Sequence, residues 1–166
     1  MTAIANGTYV ITATRRLNAP PRRVYDTIAN YHTGHPRIVP KQFSNMRVER
    51  GGIGAGTVIT FEVTVLGRTT LFRAEVTEPE PGRVLVEKNV LGNDSFTTFL
   101  VEPGAHPNEA VVTIRTEMTR RPGLAGAIEK LLSPRLLKPM YVEELRRLEA
   151  VAADPHGMAA SATARG

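Results

Sequence analysis

The sequence predicts an α+β domain. Its sheet is curved, antiparallel and seven-stranded, with a long, bent or broken C-terminal helix across one face and a short helical insertion after strand 1. Three observations lead there. Stretches of β-branched and aromatic residues in period-two alternation recur seven times, each bounded by Gly, Pro or Asn. From the third stretch onward the connections are too short for a parallel crossover, so neighbours pair antiparallel. Apolar residues at helical spacing appear in only two regions, one after the first strand and one at the C-terminal end.

The elements follow in order. Strand 8–17 begins Thr8-Tyr9-Val10-Ile11. Asn18-Ala19-Pro20-Pro21 then opens a helix, with Asn18 as cap and the prolines in the first turn, where a missing N–H costs nothing. Val24, Ile28 and Tyr31 fall on one face of it. Strands at about 43–50 and 56–66 come next, and Leu66-Gly67-Arg68 turns the chain into a hairpin with 68–77. Glu78-Pro79-Glu80-Pro81-Gly82 separates that strand from 83–90, Gly92-Asn93-Asp94 leads to 94–102, and a Pro- and Gly-bearing turn leads to 109–118. Helical periodicity returns over 124–153. Leu124, Ile128, Leu131 and Leu132 share one side, whereas Leu137, Tyr141, Leu145, Leu148 and Ala152 share another. The stripe changes register at Ser133-Pro134, which predicts a break there, and Pro139 adds a kink. Residues 1–153 read as one domain and 154–166 as a flexible tail.

Alternation also says which face is covered. Ile59, Phe61, Val63 and Val65 oppose Thr60, Glu62 and Thr64; Phe72, Ala74 and Val76 oppose Arg73, Glu75 and Thr77. In the last strand Val112, Ile114, Thr116 and Met118 oppose Thr113, Arg115 and Glu117. One face is wet, so the other needs a cover, and the C-terminal helix is the long apolar element left to supply it. A twisted sheet of seven strands curled over one helix encloses a space that side chains need not fill.

Composition narrows the function. Among 166 residues there is no Cys, which excludes thiol catalysis and cysteine-bound metals. The net charge of +5 is scattered over the chain, Trp is absent, and the four Tyr and five Phe lie mostly in strand patterns, so no nucleic-acid-binding groove is expected. No apolar run is long enough to span a membrane, and Met1-Thr2-Ala3-Ile4 lacks a signal-peptide layout, so a cytoplasmic protein is expected. The glycines of 51–56 precede a strand rather than a helix, which makes them a hairpin loop and not a phosphate cradle. His32 and His35 lack a persuasive third ligand in His106 or His156, so no metal is expected, and no cofactor. His35 reads first as a solvent-exposed loop histidine. No Gly-x-Ser-x-Gly elbow is present, and Glu62, Glu75 and Glu117 fall on the wet face, leaving no obvious pair of carboxylates.

Several stretches together resemble a known group: Val24-Tyr25-Asp26 after Ala19-Pro20, Tyr31 with His35-Pro36 and Pro40, and 51–57 opening a strand. Gly67, Val76-Thr77-Glu78-Pro79, Phe99-Leu100-Val101-Glu102-Pro103 and the proline-interrupted last helix extend the match over about 8–152. The pattern is similar to the START-like, helix-grip (SRPBCC) superfamily, in its polyketide cyclase/dehydrase and lipid-transport branch. The resemblance implies a sheet gripping the last helix around a hydrophobic cavity, with the 51–56 loop at the cavity entrance. Relatives often carry an aromatic, frequently Trp, near the position of Ile38, where this chain has none, so an aliphatic-lined pocket is expected here.

On this reading the cavity wall comes from Phe61, Val63, Phe72, Ala74, Phe99, Val112, Ile114 and Met118. Ile128, Leu132, Leu136 and Met140 form the lid, and His35, Gly54 and Gly56 stand at the entrance. Thr97, Thr116 and Tyr141 are the polar groups placed to orient a ligand or to take part in catalysis. The function expected is binding or carriage of a hydrophobic small molecule, lipid or polyketide-like. The alternatives are an aromatase/cyclase-like enzyme and an interaction module with a filled core.

Overall fold

A computed structural model describes residues 7–92, 94–119 and 123–154, the side chains of 123–132 excepted. Strand β1 (Thr8–Leu17) leads into helix α1 (Pro21–Ala29) and the single turn α2 (His35–Ile38). Then come β2 (Phe43–Arg50), β3 (Val58–Val65), β4 (Arg68–Glu80), β5 (Val84–Asn89), β6 (Ser95–Pro103), β7 (Ala110–Thr119) and α3 (Gly123–Ala153). The strands form one sheet in the order β1-β7-β6-β5-β4-β3-β2. All pairings are antiparallel. Because β1 and β2 are the two edges, the segment carrying α1 and α2 has to cross from one side of the sheet to the other.

The expected hairpin between β3 and β4 turns on Leu66 and Gly67, both at positive φ (51° and 75°), as a two-residue turn of this twist requires. Three details differ from the sequence expectation, and one open alternative is decided. Asn18 does not cap α1: its N–H and side-chain amide both donate to Glu149 Oε1 (3.2 Å each), and the N-cap position is Pro20. The four-residue α2 stands where a loop was expected. β4 runs on to Glu80, since a register shift between Thr77 and Glu80 lets Pro79 sit in the strand without owing the ladder an N–H. Finally, α3 continues through Pro134 and Pro139 as one element, and the Ser133 hydroxyl lies 3.3 Å from Tyr9 Oη. The predicted tail beyond Asp154 lies outside the described residues.

One apolar core joins the inner face of the sheet to the helices. Leu145, Leu148 and Ala152 of α3 are buried with Ile11, Ala13 and Leu17 of β1 and Val24 and Ile28 of α1. The nearest backbone neighbours of α3 are β1, α1 and α2. The inner face of the remaining strands is therefore roofed less tightly, and a cavity lies there.

Candidate functional site

The cavity has a volume of about 110 Å³ and lies between the inner face of β2–β7 and the α2 and α3 helices. That is the scale of a void that admits one benzene-sized ring. Its floor is graded along the sheet. On β2–β4 the rings of Phe43, Phe61 and Phe72 stack in series, with centroids 5.6 and 5.4 Å apart. Strand register produces the ladder, since Phe61 lies directly opposite Phe72 across β3 and β4. The wall thus sets these stacked rings beside the aliphatic Val39, Ile59, Val63, Ala74 and Leu137, and Ile38 is fully buried away from it.

On β5–β7 the floor turns polar. Thr97 pairs directly with Thr116, and their hydroxyls are 2.9 Å apart. Thr116 Oγ1 lies 2.5 Å from Tyr141 Oη, so the three polar residues expected from the sequence form one hydrogen-bonded chain. Burial holds the Tyr141 hydroxyl in its neutral form, well above the ordinary phenol range.

A second polar group was not visible in the sequence. Leu85, Glu87 and Asn89 share the inner face of β5, because Glu87 registers opposite Thr97. Glu87 Oε1 accepts a hydrogen bond from Tyr31 Oη at 2.6 Å and lies 3.6 Å from His35 Nε2. The Tyr31 phenol is pushed well above its usual range, by burial first and then by the Glu87 charge. His35 is buried, 3% exposed, rather than a solvent-facing loop histidine. Its Nδ1–H donates to the Ile28 carbonyl (2.8 Å), and its ring stacks on Tyr31 at 4.5 Å and meets the edge of Phe99 at 5.7 Å. The chain path explains this. Asn30 accepts the His32 and Thr33 N–H groups through its side chain and the Gly34 and His35 N–H groups through its carbonyl, which turns the chain back so that residues 31 and 35 meet.

The roof adds Glu144. It is 4% exposed, lines the cavity, and among the described residues makes no hydrogen bond or ion pair. Its carboxyl is held well above the usual carboxylate range, by burial first and by the nearby Glu87 charge second. Its position on α3, three residues after Tyr141 and four before Leu148, puts it on the buried stripe.

The other expected site residues divide. Phe61, Val63, Phe72, Ala74, Phe99 and Met118 line the cavity. Val112 and Ile114 do not; they are fully buried in the core nearer β1. Leu136 and Met140 face a separate hollow against Pro40 and Gln42, because α3 turns them away from the sheet. Ile128 and Leu132 lie outside the described side chains. Gly54 and Gly56 do not line the cavity. The 51–56 loop is docked on the end of α1 instead: Gly54 N–H donates to the Ala29 carbonyl (2.9 Å) and Tyr31 N–H to the Gly52 carbonyl (2.8 Å). Glu78 pins it further, accepting from Ala55 N–H at 2.8 Å and from Tyr25 Oη at 2.6 Å. His32 and His35 are engaged apart, His32 lying 3.2 Å from the Gly51 carbonyl on the surface.

An open sheet gripping a C-terminal helix is an arrangement shared with known proteins. Residues 8–153 match the family described as polyketide cyclase / dehydrase and lipid transport. The chain belongs to this family. Among curated proteins none matches it. Of the solved structures, KanY superposes with a TM-score of 0.78 at 27% identity, over 89% of this chain and 99% of that one. An aromatase/cyclase from a Streptomyces species gives 0.72 at 15%, covering 88% and 94%. A START superfamily protein from Mycobacterium smegmatis gives 0.67 at 13%, covering 88% and 97%. The helix-grip fold is thereby established for this member, and no helix among the described residues is long and apolar enough to cross a membrane.

Proposed function

We propose that this family member binds or carries a hydrophobic small molecule in the cavity beneath α3. The observation that carries the reading is the graded floor, with stacked Phe43, Phe61 and Phe72 at one side and the Thr97–Thr116–Tyr141 chain at the other. Ligand sites have this form: mostly apolar walls with a few placed polar groups. Native mass spectrometry of freshly purified protein tests it. A small-molecule mass that is lost on denaturation is the expected result. A bare protein that also fails to take up any apolar probe would overturn it.

One observation favours a second reading, an aromatase/cyclase-like enzyme. Two carboxyl groups, Glu87 and Glu144, line one cavity, a setting in which one acid and one base can serve the same substrate. On that reading, replacing Thr97, Thr116 or Tyr141 abolishes turnover while ligand binding survives. Loss of both together would reduce those residues to positioning.

A further inference from the structure

The polar side of the cavity has a definite charge character. Among the described residues lining it, the ionisable side chains are Glu87 from β5, Glu144 and Tyr141 from α3, and His35 from α2; no Lys or Arg is present. Glu87 has two neighbours of its own in Tyr31 and His35. Among the described residues Glu144 has none, and its oxygens open on the cavity, where a guest's donor can meet them. Apart from its neighbour Glu87, no charged group among the described residues faces its carboxyl.

We infer that the cavity selects apolar molecules carrying a basic nitrogen, whose ammonium is received by Glu144 with Glu87 behind it, and that it rejects carboxylates. This deepens the ligand-binding reading above and rests on it. A neutral hydroxyl gives Glu144 one donor. An ammonium gives several, together with a charge that both carboxyls attract. A fatty-acid carboxylate meets the Glu87 charge with no fixed cation to offset it, and the protonated Glu144 offers it a single donor. The aromatic ladder on β2–β4 accommodates the apolar body whichever end group is present.

The binding step has a proton balance. Burial and the Glu87 charge keep the Glu144 carboxyl protonated in the empty cavity. When an ammonium arrives the carboxylate becomes the favoured form, so the Glu144 O–H proton passes to the buffer while the ligand keeps its own. The complex is then a carboxylate–ammonium pair, and one proton has left for each molecule bound.

The test compares phenylpropylamine, phenylpropanol and phenylpropanoate, which share a body and differ in the end group. Binding is measured by titration calorimetry at mildly acidic pH in buffers of different ionisation enthalpy. The amine is expected to bind about tenfold or more tighter than the alcohol, the scale of one charge-assisted hydrogen bond. It should release about one proton per molecule bound, as the linkage requires. The alcohol should release none, and the propanoate should bind weakest. In Glu144→Gln the proton release and the preference for the amine disappear while the alcohol still binds. A propanoate that binds as tightly as the amine, or an amine preference that survives in Glu144→Gln, overturns the inference and leaves the ligand-binding reading intact. Failure of all three probes overturns both. If Glu144→Gln does not fold, the proton count of the unmodified protein decides alone: no release with the amine refutes the assignment.

Discussion

Leu137 and Leu145 share a helix and a side-chain chemistry, eight residues apart, but they do not share surroundings. Leu145 is 1% exposed and packed in the core, whereas Leu137 lines the cavity and is only partly buried. Truncating a fully packed leucine removes its transfer free energy and leaves a new void, which costs about 3 kcal/mol or somewhat more. Leu137 already has empty space on one side, so its methyl groups forfeit fewer partner atoms and the truncation widens a void that exists. About 1 kcal/mol is expected there. Helix propensity favours Ala slightly at both positions and cancels in the comparison. For a chain of this size each kcal/mol moves the melting temperature by about 2–4 °C. Leu145→Ala should therefore lower Tm by about 10 °C and Leu137→Ala by about 3 °C. Thermal unfolding by circular dichroism, with urea titrations as a second measure, reads both. Equal losses at the two positions would mean that Leu137 is packed on all sides. The cavity would then not exist in solution, and the filled-core interaction module would become the better account.

Other expectations follow from the polar groups and the tight turns. Tyr141→Phe removes the end of the Thr97–Thr116–Tyr141 chain but leaves Thr116 paired with Thr97, so a loss of about 1 kcal/mol in urea unfolding is expected. A loss several times larger would mean that Thr116 is left without a partner. Glu144 is held above its unfolded value, so from the ordinary carboxyl range upward the folded state binds more protons than the unfolded one, and stability falls as pH rises through the folded-state value. Glu144→Gln should flatten that decline in urea midpoints measured against pH; an unchanged slope would place the titrating group elsewhere. At Gly34 an added Cβ would collide with the backbone carbonyl of Thr27, which no side-chain rotation relieves. Gly34→Ala is expected to cost about 1–3 kcal/mol and to displace His35 from the cavity, seen as weakened binding of any cavity ligand.

The fold was legible because its signals are local and repeated. Strand alternation, turn residues and the Leu137–Tyr141–Leu145–Leu148 spacing each needed only a few neighbouring residues to be read. The site was legible where side chains followed their strand's apolar pattern, as with Phe61, Phe72 and Met118, and where a polar residue sat among them, as with Thr97 and Thr116. It was hidden where the pattern inverts. In β5 the apolar Val84 and Val86 point away from the cavity, while Glu87 and Asn89 point into it, so hydrophobicity read alone assigns the wrong face. Glu144 did leave a trace. A glutamate spaced three after Tyr141 and four before Leu148 on a buried stripe is an anomaly that the sequence itself displays. His35 was placed at the cavity entrance by the family pattern, but its burial was not legible, since that rests on packing against Phe99, a contact distant in sequence.

The order of strands decides how these parts can act together. Because the sheet runs β7-β6-β5-β4-β3-β2 beneath the cavity, the phenyl ladder and the polar cluster are neighbours across the strands and not along them. A guest with an apolar body and one polar end therefore satisfies both only by lying across the strands, with its body over β2–β4 and its end over β5–β7. Such a pose brings the polar end to Thr97 and Glu87 from below and to Tyr141 and Glu144 from above, since β5–β6 and α3 face each other there. The hydroxyl chain and the carboxyl pair are thus two halves of one receiving end, and a substitution on α3 should alter the recognition of a ligand's end group more than that of its body.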